Sequence, residues 1–149
     1  MTTIESICLL PKNVCTKRIS SYDPTGNNND FIKVGRGETI DIASIHGAGY
    51  IKHIWITINC EDPMIRRNAV IRMYWDGERD PSVESPLGDF FGQGWGEEYR
   101  LISLPLACAP SKGKGLNCYF IMPFSSGARI EIENQSDKDI THFYFYVDY

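Results

Sequence analysis

This 149-residue chain has no excess of positive charge: fifteen Lys and Arg stand against nineteen Asp and Glu, for a formal net charge of −4 and a pI near 5.3. Nucleic-acid affinity rests on clustered cations that neutralise phosphates, so this balance argues against a polyanion partner. Local pairs such as Lys17-Arg18 and Arg66-Arg67 read as solvated surface. A run of about 18 apolar residues is also missing, which removes a transmembrane helix. The start, MTTIESICLLPKNVCTKR, carries Glu5 and only a Cys8–Leu10 apolar run. It lacks the basic segment and apolar core of a signal peptide, so a cytoplasmic location is expected. The five cysteines, Cys8, Cys15, Cys60, Cys108 and Cys118, are odd in number and widely spaced, with no CxxC or Cys/His cluster. That pattern does not suggest a disulfide framework or a metal site, and free or buried thiols in a reducing compartment are expected, with no metal and no cofactor.

Helical periodicity is nearly absent as well. From Phe31 onward the chain shows short apolar runs broken by turn chemistry at fairly even intervals, the pattern of a sandwich or barrel. Candidate strands are Phe31–Val34, Thr39–Ile45, Tyr50–Asn59, Ala69–Asp76, Leu116–Met122, Ala128–Glu133 and Ile140–Asp148. Their separators include Gly35-Arg36-Gly37, His46-Gly47-Ala48-Gly49, Ser111-Lys112-Gly113-Lys114-Gly115 and Ser125-Ser126-Gly127. In Ala128–Ile132 the order predicts Arg129 and Glu131 facing water, with Ile130 and Ile132 facing the core. In Tyr50–Asn59, Ile54, Ile56 and Ile58 share one face, and His53, Trp55 and Thr57 the other. Phe143–Val147 is apolar or aromatic on both faces. Strand surface of that kind in one small domain predicts an oligomer interface or a neighbouring domain.

Two stretches break the strand rhythm. Ser20–Asp30, SSYDPTGNNND, gathers hydroxyl, amide and carboxylate groups on a segment shaped by Pro24 and Gly26. It is either a turn-rich loop capped by its own side chains or a polar surface that meets a ligand. Trp75–Gly96, WDGERDPSVESPLGDFFGQGWG, holds four glycines after position 86 and the carboxylates Asp76, Glu78, Asp80, Glu84 and Asp89. A loop of this length without strand pattern is usually functional or disordered, and Phe90, Phe91 and Trp95 argue for order.

SSYDPTGNNND, GAGYIKHIW at Gly47–Trp55, YWDGERDPSVESPLGDFFG at Tyr74–Gly92 and NCYFIMPFSSGARIEIEN at Asn117–Asn134 resemble, in that order, the N-terminal half of glycoside hydrolase family 172. The resemblance implies a single jelly-roll β-sandwich of about eight antiparallel strands over residues 1–149, the first of two jelly rolls in full-length members. It also implies furanoside processing of the α-D-fructofuranosidase, difructose-anhydride and D-arabinofuranosidase kind through two glutamates. Assembly as a trimer or hexamer, or with a second jelly-roll partner, follows from it too. The resemblance places both catalytic glutamates in the second jelly roll, beyond Tyr149, so neither has a position in this chain.

A glycosidase needs two carboxylates about 5–5.5 Å apart for retention or about 6.5–9.5 Å for inversion, and sequence spacing does not give that distance. The expected substrate-binding residues are Asp23, Asn28, Asn29, Asp30, Glu84, Asp89 and Trp95. Each carboxylate has a competing structural role: Asp76-Gly77 and Asp23-Pro24 as turns, and Asp89 as the cap of a short helix. Trp95, between Gly94 and Gly96, either lies open to a sugar face or packs as a lid on Phe90 and Phe91. Trp55, Trp75, Met122 and Phe124 are expected in the core. His46, His53 and His142 are scattered and take ordinary turn or strand-face roles. Besides the enzyme subunit, two other readings fit: a non-catalytic carbohydrate-binding module, and a self-assembling jelly roll without a ligand.

Overall fold

Alternation along the strands sets the architecture. The computed structural model of the protein describes residues 12–149, so the expectation for Cys8 and most of that for the N-terminal stretch fall outside the described residues. In chain order the elements are β1 (Arg18–Ser20), β2 (Ile32–Val34), β3 (Thr39–His46), β4 (Gly49–Ile51), β5 (His53–Cys60), α1 (Ile65–Asn68), β6 (Ala69–Trp75), β7 (Val83–Pro86), α2 (Leu87–Phe90), β8 (Leu101–Ile102), β9 (Leu106–Ala109), β10 (Gly115–Cys118), β11 (Met122–Phe124), β12 (Gly127–Asn134) and β13 (Ile140–Asp148). Two single 3₁₀ turns lie at Gly94–Gly96 and Ser111–Gly113.

The strands form antiparallel sheets that pack as a sandwich. The larger sheet runs β1-β13-β5-β10-β9-β8, with β2 also on β13, and the smaller runs β3-β12-β6-β7. A two-stranded ribbon of β4 and β11 joins them at one end. From the larger sheet, Ile54, Ile56, Cys108, Leu116, Cys118, Phe143, Phe145 and Val147 turn inward. They meet Ile42, Ile45, Ile71, Met73, Ala128, Ile130 and Ile132 of the smaller one. Fully burying one large apolar side chain contributes about 1.5–3 kcal/mol, so this inward set is what holds the two sheets together.

The all-β antiparallel sandwich expected from the sequence is the fold that forms, but with thirteen short strands among the described residues rather than about eight. Tyr50–Asn59 divides at Lys52, because β4 leaves the large sheet to pair with β11 while β5 stays between β13 and β10. Leu116–Met122 divides at Tyr119–Ile121, whose side chains are exposed. The strands β1, β7, β8 and β9 have two to four residues each, too few for a period to register in the sequence.

Outward faces carry two departures. Trp55 is not in the core; it lies on the outer face of the large sheet, stacked on Tyr146 at 5.0 Å. Trp75 and Met122 pack against the core and Phe124 is within it. Glu131 does point away from the core, as alternation requires, yet it is buried. Tyr74 donates its hydroxyl to Glu131 Oε1 at 2.7 Å, Arg129 pairs with the same carboxylate, and the Arg129 guanidinium lies 3.8 Å from the Tyr74 ring centre. Cys15, Cys60, Cys108 and Cys118 are free thiols. Among the described residues no helix is long and apolar enough to cross a membrane.

Candidate functional site

The seven residues expected to bind substrate fall in three places. Asp23, Asn28, Asn29 and Asp30 stay together in the β1–β2 loop, at the edge of the large sheet beside β13. There the loop closes on itself: Asp23 Oδ1 accepts the Thr25 N–H at 2.8 Å and its hydroxyl at 2.6 Å, and Oδ2 accepts the Asn29 N–H at 3.1 Å. Asp30 Oδ1 accepts the Asp23 N–H at 2.8 Å. The Thr25 hydroxyl, followed by the backbone N–H groups of Thr25 and Asn29, holds the Asp23 carboxyl below the usual carboxylate range. Asn28 takes a left-handed backbone with φ 60°. The loop-capping role is therefore filled by Asp23 and Asp30, while the Asn28 and Asn29 side chains point to solvent.

Glu84 sits on β7 and pairs with Arg72, which also reaches Glu133 at 2.6 Å and Glu131 at 3.6 Å. That ion-pair group lies on the outer face of the small sheet, because Arg72 and Glu84 are direct cross-strand partners. Asp76 also has a structural role. With φ 53° it forms the turn after β6, and its Oδ1 accepts the N–H groups of Ser125, Ser126 and Gly127 at 2.8, 2.6 and 3.2 Å. Those contacts, Ser126 first, draw its carboxyl down.

Asp89 and Trp95 are brought together. The Trp75–Gly96 stretch is ordered by α2, anchored by the fully buried Leu87 and Phe91. Asp89 is inside α2 rather than at its cap, and it pairs with Arg67 of α1. Gly88 allows the close approach of the two helices, since a Cβ there would lie 2.9 Å from Arg66 Cβ and 2.7 Å from the Gln93 carbonyl oxygen. Asp62 fixes the start of α1 by accepting from the Met64 N–H at 2.8 Å and Asn68 Nδ2 at 2.7 Å.

Beyond α2 the chain is clamped by two side chains, Gln93 and Tyr99. Gln93, fully buried, donates through Nε2 to the carbonyls of Tyr99 and Gly113, both at 2.8 Å. Tyr99 returns its hydroxyl to the Gly92 carbonyl at 2.7 Å and accepts the Gly94 N–H at 2.9 Å. Between these clamps Trp95 is held with φ 67° and ψ 9°. Its side chain does not pack on Phe90 and Phe91 but stands 87% exposed. A bulky residue in the left-handed region costs free energy that neighbouring contacts must offset, and such strain clusters at functional positions.

The result is an open cavity of about 680 Å³ framed by Met64, Arg67, Asp89, Trp95 and Tyr99, floored by Gly92 and Gly94. An exposed indole face beside a carboxylate–guanidinium pair offers stacking together with hydrogen-bond donors and acceptors. A second concavity of about 360 Å³, between Asn13–Lys17 and the His46–Lys52 region, holds none of the expected residues. The Trp95 cavity adjoins the β8–β9 edge, because Gly92 backs onto Leu101 and Leu106. The polar β1–β2 loop is at the opposite edge of that same sheet, so one copy of the chain does not join them into one cleft.

Arg66, Arg67, Gln93 and Tyr99 were not among the expected residues. The Arg66-Arg67 pair, read from sequence as solvated surface, divides: Arg67 lines the cavity, and Arg66 is 1% exposed. Its burial accompanies the close packing of α1 on α2 that Gly88 permits, and Glu98 covers its guanidinium from the solvent side. A four-residue helix has too little periodicity to announce this.

Residues 25–146 match the family model described as GH172 domain-like. No curated protein matched. Among solved structures, one similar chain belongs to the crystal structure of Aeromonas sobria serine protease (ASP) and the chaperone (ORF2) complex. That likeness covers 91% of this chain and 26% of the other, at 6% identity and a TM-score of 0.35, and it carries no argument about function. The chain spans about a quarter of that matched chain.

Proposed function

Because this chain belongs to the GH172 domain-like family over residues 25–146, we propose that it serves in a furanoside-processing glycoside hydrolase as a part that binds sugar and docks to complete the enzyme. The observation that carries the reading is Trp95: an indole 87% exposed on a strained, clamped backbone, next to the Arg67–Asp89 pair. Exposing an indole forgoes its burial, and a sugar face is one surface that restores it. Among the described residues Asp89 is the single carboxylate lining the cavity, and it is engaged by Arg67. Glycoside hydrolysis needs two. The cavity therefore supports binding, and the catalytic pair is to be sought outside it.

Assembly is the second part of the reading, as a homo-oligomer, trimeric or hexameric, or with a second jelly-roll partner. Its support is the outer-face stack of Trp55 and Tyr146 and the exposed Leu104, Phe120 and Ile121. The free thiols are in keeping with a cytoplasmic setting. Calorimetric titration with neutral fructofuranosyl and arabinofuranosyl oligosaccharides tests the binding reading: heat of binding is expected for the intact chain and its loss for Trp95→Ala. Binding that survives Trp95→Ala would remove the site from this cavity. Light scattering that finds only monomer would count against the assembly part.

A further inference from the structure

Arg66 is buried yet incompletely paired. Its Nη2 donates to Glu98 Oε1 at 3.2 Å and to the Lys114 carbonyl at 3.4 Å. Nε and Nη1 meet no partner among the described residues. Arg18 shows what a filled guanidinium edge looks like in this same protein, with Nε at 2.7 Å and Nη2 at 3.0 Å from the two oxygens of Asp148. On Arg66 the corresponding edge is half used, although burial makes an unmet donor more costly there than at the surface.

Glu98 fills that half from outside. Its side chain is 36% exposed while its carboxylate reaches a guanidinium that is 2% exposed, so it bridges solvent and interior. Among the described residues the third buried side-chain polar atom without a partner is Gln93 Oε1. Gln93 Nε2 is fixed on the Gly113 carbonyl, one residue from the Lys114 carbonyl that Arg66 reaches. The occupied donors of Arg66 and Gln93 thus meet on adjacent carbonyls, Lys114 and Gly113, behind the clamp that presents Trp95, and each of the two side chains keeps a spare polar atom.

We propose that Arg66 is the seat of a ligand oxyanion, a phosphate or a carboxylate, and that Glu98 occupies this seat as an internal stand-in in the free protein. The incoming oxyanion takes Nε and Nη2 side by side, as Asp148 does on Arg18, and Glu98 turns outward along its exposed side. Glu98 thereby competes with the ligand, and neutralising it strengthens binding. This proposal stands apart from the sugar reading, since Trp95 contributes nothing to the Arg66 seat.

The test titrates the full chain with inorganic phosphate and, separately, with D-glucuronate at constant ionic strength, following both binding heat and the Arg66 Nε–H resonance. Charge-assisted contacts of about 1.5–3 kcal/mol correspond to roughly tenfold or more in affinity. Glu98→Gln is therefore expected to bind about tenfold tighter than the unaltered chain, with the Arg66 Nε–H signal shifting on addition. Arg66→Lys, which lacks the fork, is expected to lose that gain. The ligand that binds more tightly identifies the source of the oxyanion. An Arg66 Nε–H signal in Glu98→Gln that does not move at roughly 20 mM of either ligand would overturn the proposal. Equal binding with and without the Glu98→Gln change would do so too. If Arg66→Lys fails to fold, the resonance in Glu98→Gln decides alone. Trp95→Ala should keep the phosphate response while losing neutral sugar, so the two readings fail separately.

Discussion

Asn134→Ala is expected to be among the most damaging single changes in this chain. Asn134, at the end of β12, is fully buried. Its Nδ2 is shared among three carbonyls, Val34 at 3.1 Å, Gly35 at 3.1 Å and Lys138 at 2.9 Å, and its Oδ1 accepts the Ser136 N–H at 3.0 Å. One amide therefore ties the end of β2 to the turn that leads into β13. Truncation leaves the Val34 carbonyl and the Ser136 N–H in buried settings, while the other two carbonyls lie nearer the surface. At about 1–3 kcal/mol for each buried group left unmet, the loss is about 2–6 kcal/mol. A domain of this kind has roughly 5–15 kcal/mol in total, so the change consumes a large part of it. With a melting shift of roughly 2–4 °C per kcal/mol for a chain of this size, Tm should fall by about 5–20 °C. Urea unfolding followed by circular dichroism measures this directly. Asn134→Asp, which keeps the acceptor but buries a charge in place of the donors, should be no milder. A loss under about 1 kcal/mol for Asn134→Ala would refute the reasoning, because it would mean that water meets these groups.

Two further outcomes follow from the same geometry. Gly113→Ala puts a Cβ 2.0 Å from the Tyr99 carbonyl oxygen and 2.4 Å from Gln93 Nε2 at a φ of +65°, so it should displace the clamp and lower both the urea midpoint and Trp95-dependent sugar binding. For Asp148, the hydrogen bond from Arg18 and its charge, with a smaller share from His53, outweigh burial and hold the carboxyl below its ordinary range. A folded-state value below the unfolded one, about 3.9, means that this stabilisation is complete above that pH and is lost as pH falls through the folded value. Arg18→Met should therefore flatten the fall of the urea midpoint below about pH 4, and an unchanged slope would contradict the pairing.

The sandwich was legible because period-two alternation survives wherever one face is buried. Ile130 and Ile132 against Arg129 and Glu131 is the plainest case, although alternation gives direction and not depth. It placed Glu131 outward but did not foresee Tyr74 and Arg129 folding over it. The turn at Asp76-Gly77 was legible from residue chemistry, whereas SSYDPTGNNND stood open between self-capping and ligand contact until the hydrogen bonds of Asp23 and Asp30 showed the capping. Arg66 was not legible, because its burial depends on a glycine 22 positions later in sequence and its one carboxylate partner lies 32 positions away. The Gly-Trp-Gly stretch left Trp95 undecided between lid and platform. What decides it is the set of clamps through Gln93 and Tyr99, which only tertiary structure supplies.

The most direct test of the sugar-binding account is tryptophan fluorescence during titration with a neutral furanosyl oligosaccharide. Trp95 is 87% exposed while Trp55 and Trp75 are half-buried, so Trp95 dominates collisional quenching by acrylamide. The account predicts a blue shift and protection from acrylamide on saturation, both abolished in Trp95→Ala. A saturating ligand, shown bound by calorimetry, that leaves emission and quenching unchanged would contradict it.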